Sequence, residues 1–262
     1  MKRLLYILIM CLAVLTVQAQ SLNRWSIRVG EFRSYDQILS QQEYNGVSIT
    51  LNALHLGQYR DTGNVYWYFR DQFRFSPMLN SSRSARLYFG SIRLDYGTNY
   101  AFDLGNGFRL SAGGYLDIYG GIKYNTRNVN NIASADVQIG LRAAATAHYM
   151  YRWSSKFALG CHYGLSTPLI GCFFAPDYGE SYYEIWLNLP SSLNHSVHFS
   201  SFHNRQGIMG DLAIDLIFPH GVLTLGFNHE NEWWQTSTNS FYESDISGSI
   251  GFALRLASLK PY

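Results

Sequence analysis

Apolar and polar residues alternate with period two over most of the chain, and the pattern is cleanest from Ile92 to Lys123. Ile92, Leu94, Tyr96, Tyr100, Phe102 and Leu104 alternate with Arg93, Asp95, Gly97, Asn99, Ala101 and Asp103. After Gly105-Asn106-Gly107 the rhythm resumes, with Phe108, Leu110, Ala112, Leu116, Ile118 and Ile122 set against Arg109, Ser111, Gly113, Tyr115, Asp117 and Lys123. Successive strand side chains point to opposite faces, so this reads as a hairpin with one apolar and one charged face. Gly and Asn tolerate the positive φ of a tight hairpin loop. Both strands exceed the roughly 5–6 residues usual in globular sheets. They are long enough for a bilayer, which takes about 9–11 tilted residues.

The same period predicts further strands over residues 25–30, 65–75, 137–151, 157–165, 182–187, 196–203, 212–218, 223–229 and 246–256. Another starts at Val47, where Ile49, Leu51 and Ala53 keep step and the phase then slips to Leu54 and Leu56, which predicts a bulge. Residues 143–147 favour helix by propensity, yet the alternation of Val137, Ile139, Leu141, Ala143 and Ala145 places them in a strand. Connections near residues 61, 106, 154, 192 and 220 are short, whereas polar segments at 34–46, 76–84, 125–131, 167–180, 204–210 and 230–240 read as longer loops. Short turns at one end and long loops at the other are the asymmetry of an outer-membrane barrel, here of about 12 strands with 8–14 accommodated. The fold class is therefore all-β, a closed antiparallel transmembrane barrel.

Lys2 and Arg3 precede an apolar run to Val17, and Val17-Gln18-Ala19 offers small residues at the two positions a signal peptidase reads. This predicts a cleaved secretory signal over residues 1–19 and a single barrel domain over 20–262. Removing Lys2 and Arg3 leaves 18 basic against 18 acidic residues, so charge provides no case for nucleic-acid binding. Aromatics at 16 % and charged residues at only 15 % suit a wall that meets lipid, although a secreted β-sandwich would share them. Two cysteines remain in the mature chain, Cys161 on an apolar strand face and Cys172 in a loop. An oxidising compartment permits a bridge, and their placement favours free thiols.

The polar faces collect Arg93, Asp95, Arg109, Asp117, Lys123, Arg142 and Asp215, with both signs near balance. In a barrel of this size such side chains meet across the lumen as ion pairs, or line a narrow channel or small-ligand pocket. The histidines lack metal-ligand spacing, and no phosphate-cradling or dinucleotide glycine motif is present, so no cofactor or metal is expected. The expected partners are outer-membrane lipid and the barrel-insertion machinery, and any small-molecule ligand stays open.

His198-Phe199-Ser200 puts an imidazole and a hydroxyl on one strand face, the pairing a serine nucleophile needs, with Asn204, or Asn228 on a later strand, available to orient the imidazole. It resembles the His and Ser pairing of outer-membrane phospholipase A. That family has Asn-Gly after the serine, where this chain has Ser201-Phe202. The resemblance implies a lipid hydrolase as the alternative function. Four segments carry a broader likeness: Tyr35-Asp36-Gln37-Ile38-Leu39-Ser40, Pro168-Leu169-Ile170-Gly171, Tyr178-Gly179-Glu180-Ser181-Tyr182-Tyr183-Glu184 and Ser201-Phe202-His203-Asn204-Arg205-Gln206-Gly207. On these the chain resembles the small outer-membrane β-barrels of Gram-negative bacteria. It is similar in particular to an uncharacterised, signal-bearing Bacteroidetes family with a domain of unknown function. That likeness implies an outer-membrane barrel and no particular mechanism, and the leading expectation from the residues is a non-enzymatic barrel, structural or a narrow solute or ligand pathway.

Overall fold

The computed structural model describes residues 21–59, 63–127, 132–176, 185, 187–188, 191 and 193–254. The signal segment at 1–19 lies outside them. Eleven strands form one sheet. They are β1 (Ser21–Asp36), β2 (Ser40–Gln58), β3 (Val65–Asn80), β4 (Arg86–Gly105), β5 (Phe108–Asn125) and β6 (Ala133–Arg152). Then come β7 (Ala158–Phe174), β8 (Val197–Ser201), β9 (Arg205–Phe218), β10 (Gly221–Gln235) and β11 (Ser240–Leu254). Each strand from β1 to β7 pairs antiparallel with the next, β7 continues to β9, and β11 returns to β1. Ten strands thus close a barrel. Closure gives each of the ten barrel strands a partner on both sides, which hydrocarbon demands because it offers backbone groups none, while β8 pairs with β7 alone.

The strand count is lower than the sequence pattern suggests because two expected strands share one barrel position. β9 pairs with the first half of β7, from Ala158↔Ile217 to Ser166↔Met209, and β8 with its last residues, from Ile170↔Ser201 to Phe174↔Val197. A turn at Ser201–Asn204 separates them, closed by the Asn204 amide donating to the Ser201 carbonyl at 3.1 Å. Ile185 and Leu187 of the expected strand at 182–187 are helical, and its other residues except Ile185 and Leu187 lie outside the described set.

Most strands also run further than expected. Residues 34–46 are not a loop: the chain turns only over 37–39, where the Asp36 carboxylate accepts from the amides of Ile38 and Leu39, both at 3.1 Å. The expected loops at 204–210 and 230–240 are largely strand, and Cys172 lies in β7 rather than in a loop. Both thiols are free. The bulge expected at Leu54 is absent, since β2 keeps unbroken register there with β1 and β3. Leu54 and Leu56 simply face inward, where part of the lumen is apolar. The hairpin at residue 106 forms as expected, with φ of 80°, 53° and 81° at Gly105, Asn106 and Gly107.

The two ends of the barrel differ. Both described termini lie at one end, here the near end, together with the connections after β2, β4, β6 and β9. The far end carries the 175–196 connection, the longest. Outward residues form an apolar belt that includes Ile27, Ile49, Phe73, Ile92, Ile118, Ile139, Ile214 and Ile250. Tyr59, Tyr100, Phe108, Tyr149, Tyr151 and Trp153 ring the near end outside it. An apolar band edged by aromatics is the outer surface of a membrane barrel.

Candidate functional site

Inward-facing residues divide the lumen into a packed far half and an open near half. At the far end the plug is apolar. Phe32 stacks on Phe89 with centroids 4.9 Å apart, alongside Met78, Leu87, Leu39 and Tyr44. Trp234 stacks on Phe241 at 5.6 Å beside Ile38, Phe173 and Ala175.

Below this cap, buried charges cross the lumen. Arg142 meets Glu232 at 2.5 Å and Asp117 at 3.3 Å. Arg205 meets the same two carboxylates at 3.0 Å (Asp117) and 3.2 Å (Glu232), and Arg93 does so at 3.4 and 3.1 Å. Three arginines from β4, β6 and β9 therefore converge on two carboxylates from β5 and β10. Lys123 Nζ lies 2.8 Å from Asp136, 3.4 Å from Glu243 and 3.5 Å from Asp36. Tyr119 donates to Glu243 at 2.8 Å and Ser134 to Asp36 at 2.8 Å. Arg74 holds Glu230 at 2.5 Å and faces Asp245 at 3.8 Å, while Arg70 donates Nε–H to Asp95 at 2.7 Å. Asp95, Asp117 and Lys123 are 0 % exposed, so these groups form a septum.

The near half is a cavity of about 680 Å³ opening among Ser154, Lys156, Phe157 and Pro219. Its floor is Arg28, Arg70, Tyr68, Tyr115, Asp211 and Glu230, and its waist carries Arg24, His148, His162, Asp215 and Thr224. Tyr68 and Tyr115 stack at 5.5 Å. Arg24 reaches Asp215 at 3.4 Å, and His162 lies 3.3 Å from both Asp211 and Asp215. Arg28 meets Glu230 at 3.4 Å. The Nε–H groups of Arg24 and Arg28 are buried without an acceptor.

Of the interior residues named from sequence, Arg93, Asp117 and Arg142 share one septal cluster, and Lys123 and Asp95 belong to its neighbours. Asp215 and Arg109 instead line the cavity, where Arg109 donates to the Tyr66 hydroxyl at 3.2 Å and faces Asp103 at 3.6 Å. The pattern missed Arg205, Glu232, Asp36 and Glu243, which fall in or beside stretches it assigned to loops. It also passed over Arg24 and Arg28, although Arg28 alternates with Ile27 and Val29 in the first strand.

The side chains of His198 and Asn204 are engaged with other partners. His198 Nε2 is 3.0 Å from the Ala175 carbonyl and its ring stacks on Phe173 at 5.5 Å. Ser200 is buried, and among the described contacts no hydrogen bond joins it to His198. Asn204 spends its side chain on the turn, donating to the Phe199 carbonyl at 2.7 Å and accepting from the Ser201 amide at 3.0 Å. Among the described residues no group of His, Cys, Asp and Glu side chains is placed to hold a metal ion.

The architecture is similar to that of solved outer-membrane barrels. The outer-membrane protease OmpT from Escherichia coli aligns over 90 % of this chain and 97 % of that one, with 8 % identity and a TM-score of 0.47. The translocator domain of the autotransporter NalP from Neisseria meningitidis aligns over 97 % and 95 %, with 13 % identity and a TM-score of 0.39. The COG4313 outer-membrane channel from Pseudomonas putida F1 aligns over 89 % and 94 %, with 9 % identity and a TM-score of 0.36. These likenesses concern the fold, and no activity passes with them. No curated protein matches the chain in sequence. A family model described as "Protein of unknown function (DUF3316)" matches residues 6–261, and the chain belongs to that family.

Proposed function

We propose that this chain is a non-enzymatic outer-membrane β-barrel, closed to through-passage by its charged septum and open at its near end as a blind cup. The observation that carries this reading is the convergence of Arg93, Arg142 and Arg205 on Asp117 and Glu232 across the lumen. A water-filled pore would leave such groups hydrated, whereas here they are buried and paired with one another. The apolar belt and near-end aromatics support a membrane location. The near end faces the periplasm in this reading: both described termini lie there, and the long 175–196 connection lies opposite. Export on the 1–19 signal and delivery to the barrel-insertion machinery belong to the same proposal.

Single cysteines in a background lacking Cys161 and Cys172 test it. Ala144 lines the cavity, whereas Gln138 is buried in the packed half. A water-soluble thiol reagent should modify Ala144→Cys rapidly and leave Gln138→Cys untouched in the folded barrel. Equal modification of both would mean an open lumen.

A further inference from the structure

The cavity has a chemical character of its own, and it is that of a site for an amphipathic anion. Six cations line it, Arg24, Arg28, Arg70, Arg109, Arg152 and Lys156, against three carboxylates. Each carboxylate already faces a basic side chain: Asp211 has the His162 imidazole, Asp215 has Arg24, and Glu230 has Arg28 and Arg74. Arg152 and Lys156, near the mouth, have no ion pair among the described residues. Arg70 is paired with Asp95 and Arg109 faces Asp103, so the excess of positive charge is that of Arg152 and Lys156 at the mouth, where it concentrates anions in a cleft with low-dielectric walls.

One donor on the floor lacks an acceptor. The Arg28 side chain is 8 % exposed, and its Nε–H has no hydrogen-bond partner. An unmet buried donor is costly, and an acceptor that draws the guanidinium toward the cavity would relieve it. Between Arg28 and the mouth, beside the polar waist, part of the wall is apolar: Leu54 and Leu56 on β2, with Leu22 paired directly to Leu56, and Met150, Ile217 and Val222 on other strands. This is the feature that misled the phase of β2, and a purely aqueous vestibule has no need of it. A volume of about 680 Å³ lies within the range of small-ligand sites, about 300–1,000 Å³.

We propose that the cavity binds an aliphatic carboxylate of medium chain length, with its head group at Arg28 and its chain along Leu54, Leu56 and Leu22 toward the mouth. The proposal rests on the closed-barrel reading, because the septum supplies the floor.

The test is calorimetric titration of the barrel in nanodiscs of zwitterionic lipid, with empty nanodiscs subtracted. The probes are octanoate, hexanoate and octylammonium. Octanoate should give saturable one-site binding, about tenfold tighter than hexanoate through its two extra methylenes. Octylammonium should bind at least tenfold more weakly than octanoate. Arg28→Gln should lose at least tenfold in octanoate affinity, and Glu230 keeps Arg74 at 2.5 Å in that variant. Leu56→Glu puts a like charge on the wall along which the chain lies, without touching the Arg28 pairing, so it should lower octanoate affinity at least tenfold and decides the matter if Arg28→Gln does not fold. Absence of saturable binding, equal affinity for octylammonium, or wild-type affinity in a folded Arg28→Gln or Leu56→Glu barrel would overturn the proposal. A folded barrel that excludes reagent from Gln138→Cys yet binds no octanoate would refute the ligand alone and leave the closed lumen standing.

Discussion

Lys123 is one ammonium among three carboxylates, and Asp117 is one of two carboxylates, with Glu232, among three guanidinium groups. Neither cluster is balanced by itself, so removing a minority charge leaves several like charges facing one another out of water. Breaking a buried pair in this way costs about 3–5 kcal/mol. Lys123→Met and Asp117→Ala should each lower unfolding stability by about that amount, read as an earlier midpoint in urea with the folded barrel in detergent. Arg33→Ala is the control, since its 2.8 Å pair with Glu31 is half-exposed and should change stability by less than about 1 kcal/mol. A Lys123→Met barrel as stable as wild type would show that the septum contributes no stability. Arg93, Asp117, Lys123 and Arg142 were legible in the sequence because each alternates with residues that face lipid. Glu232, Glu243 and Arg205 were not. Their strands run beyond the apolar belt, where polar residues occupy both faces and the contrast that reveals a period-two pattern is lost.

At the scale of elements, alternation located the strands well and their ends poorly. β6 is strand from Ala133 to Arg152 despite its alanine-rich centre, because pairing with β5 and β7 overrides helix propensity. The phase of β2 misled because Leu54 and Leu56 are apolar and inward, so hydrophobicity there marks the cavity wall and not the lipid face. Cysteine scanning of β5 checks the faces. Ser111, Tyr115 and Tyr119 face inward, whereas Leu110, Ala112, Leu116 and Ile118 are exposed on the outer wall. In lipid, Ser111→Cys should react with a water-soluble thiol reagent through the cavity, and Leu110→Cys and Ala112→Cys should not. Reaction at neighbouring positions without alternation would contradict the strand. β8 bears on the hydrolase alternative. With His198 committed to a backbone carbonyl and Ser200 buried, the purified protein should release no acyl chain from phospholipid, with or without calcium. Acyl release that disappears in both Ser200→Ala and His198→Ala would reinstate the enzyme.

For the whole molecule, the closed all-β barrel was legible and the division of its lumen was not. Period-two alternation says which side chains point inward but not whether they meet across the barrel. That depends on the strand number and on residues far apart in the chain, such as Arg93 and Glu232, or Lys123 and Asp36. Ten strands enclose a lumen narrow enough for arginines on opposite walls to share one carboxylate, and twelve would enclose a wider one. The narrowness is what turns a polar lining into a septum. Ion conduction through the purified barrel in a planar lipid bilayer tests that claim most directly. The wild type should show little or no steady conductance, and Arg142→Ala together with Glu232→Ala, which takes both partners of the 2.5 Å pair out of the septum, should raise it. A large, steady wild-type conductance, unchanged by those substitutions, would contradict the closed lumen.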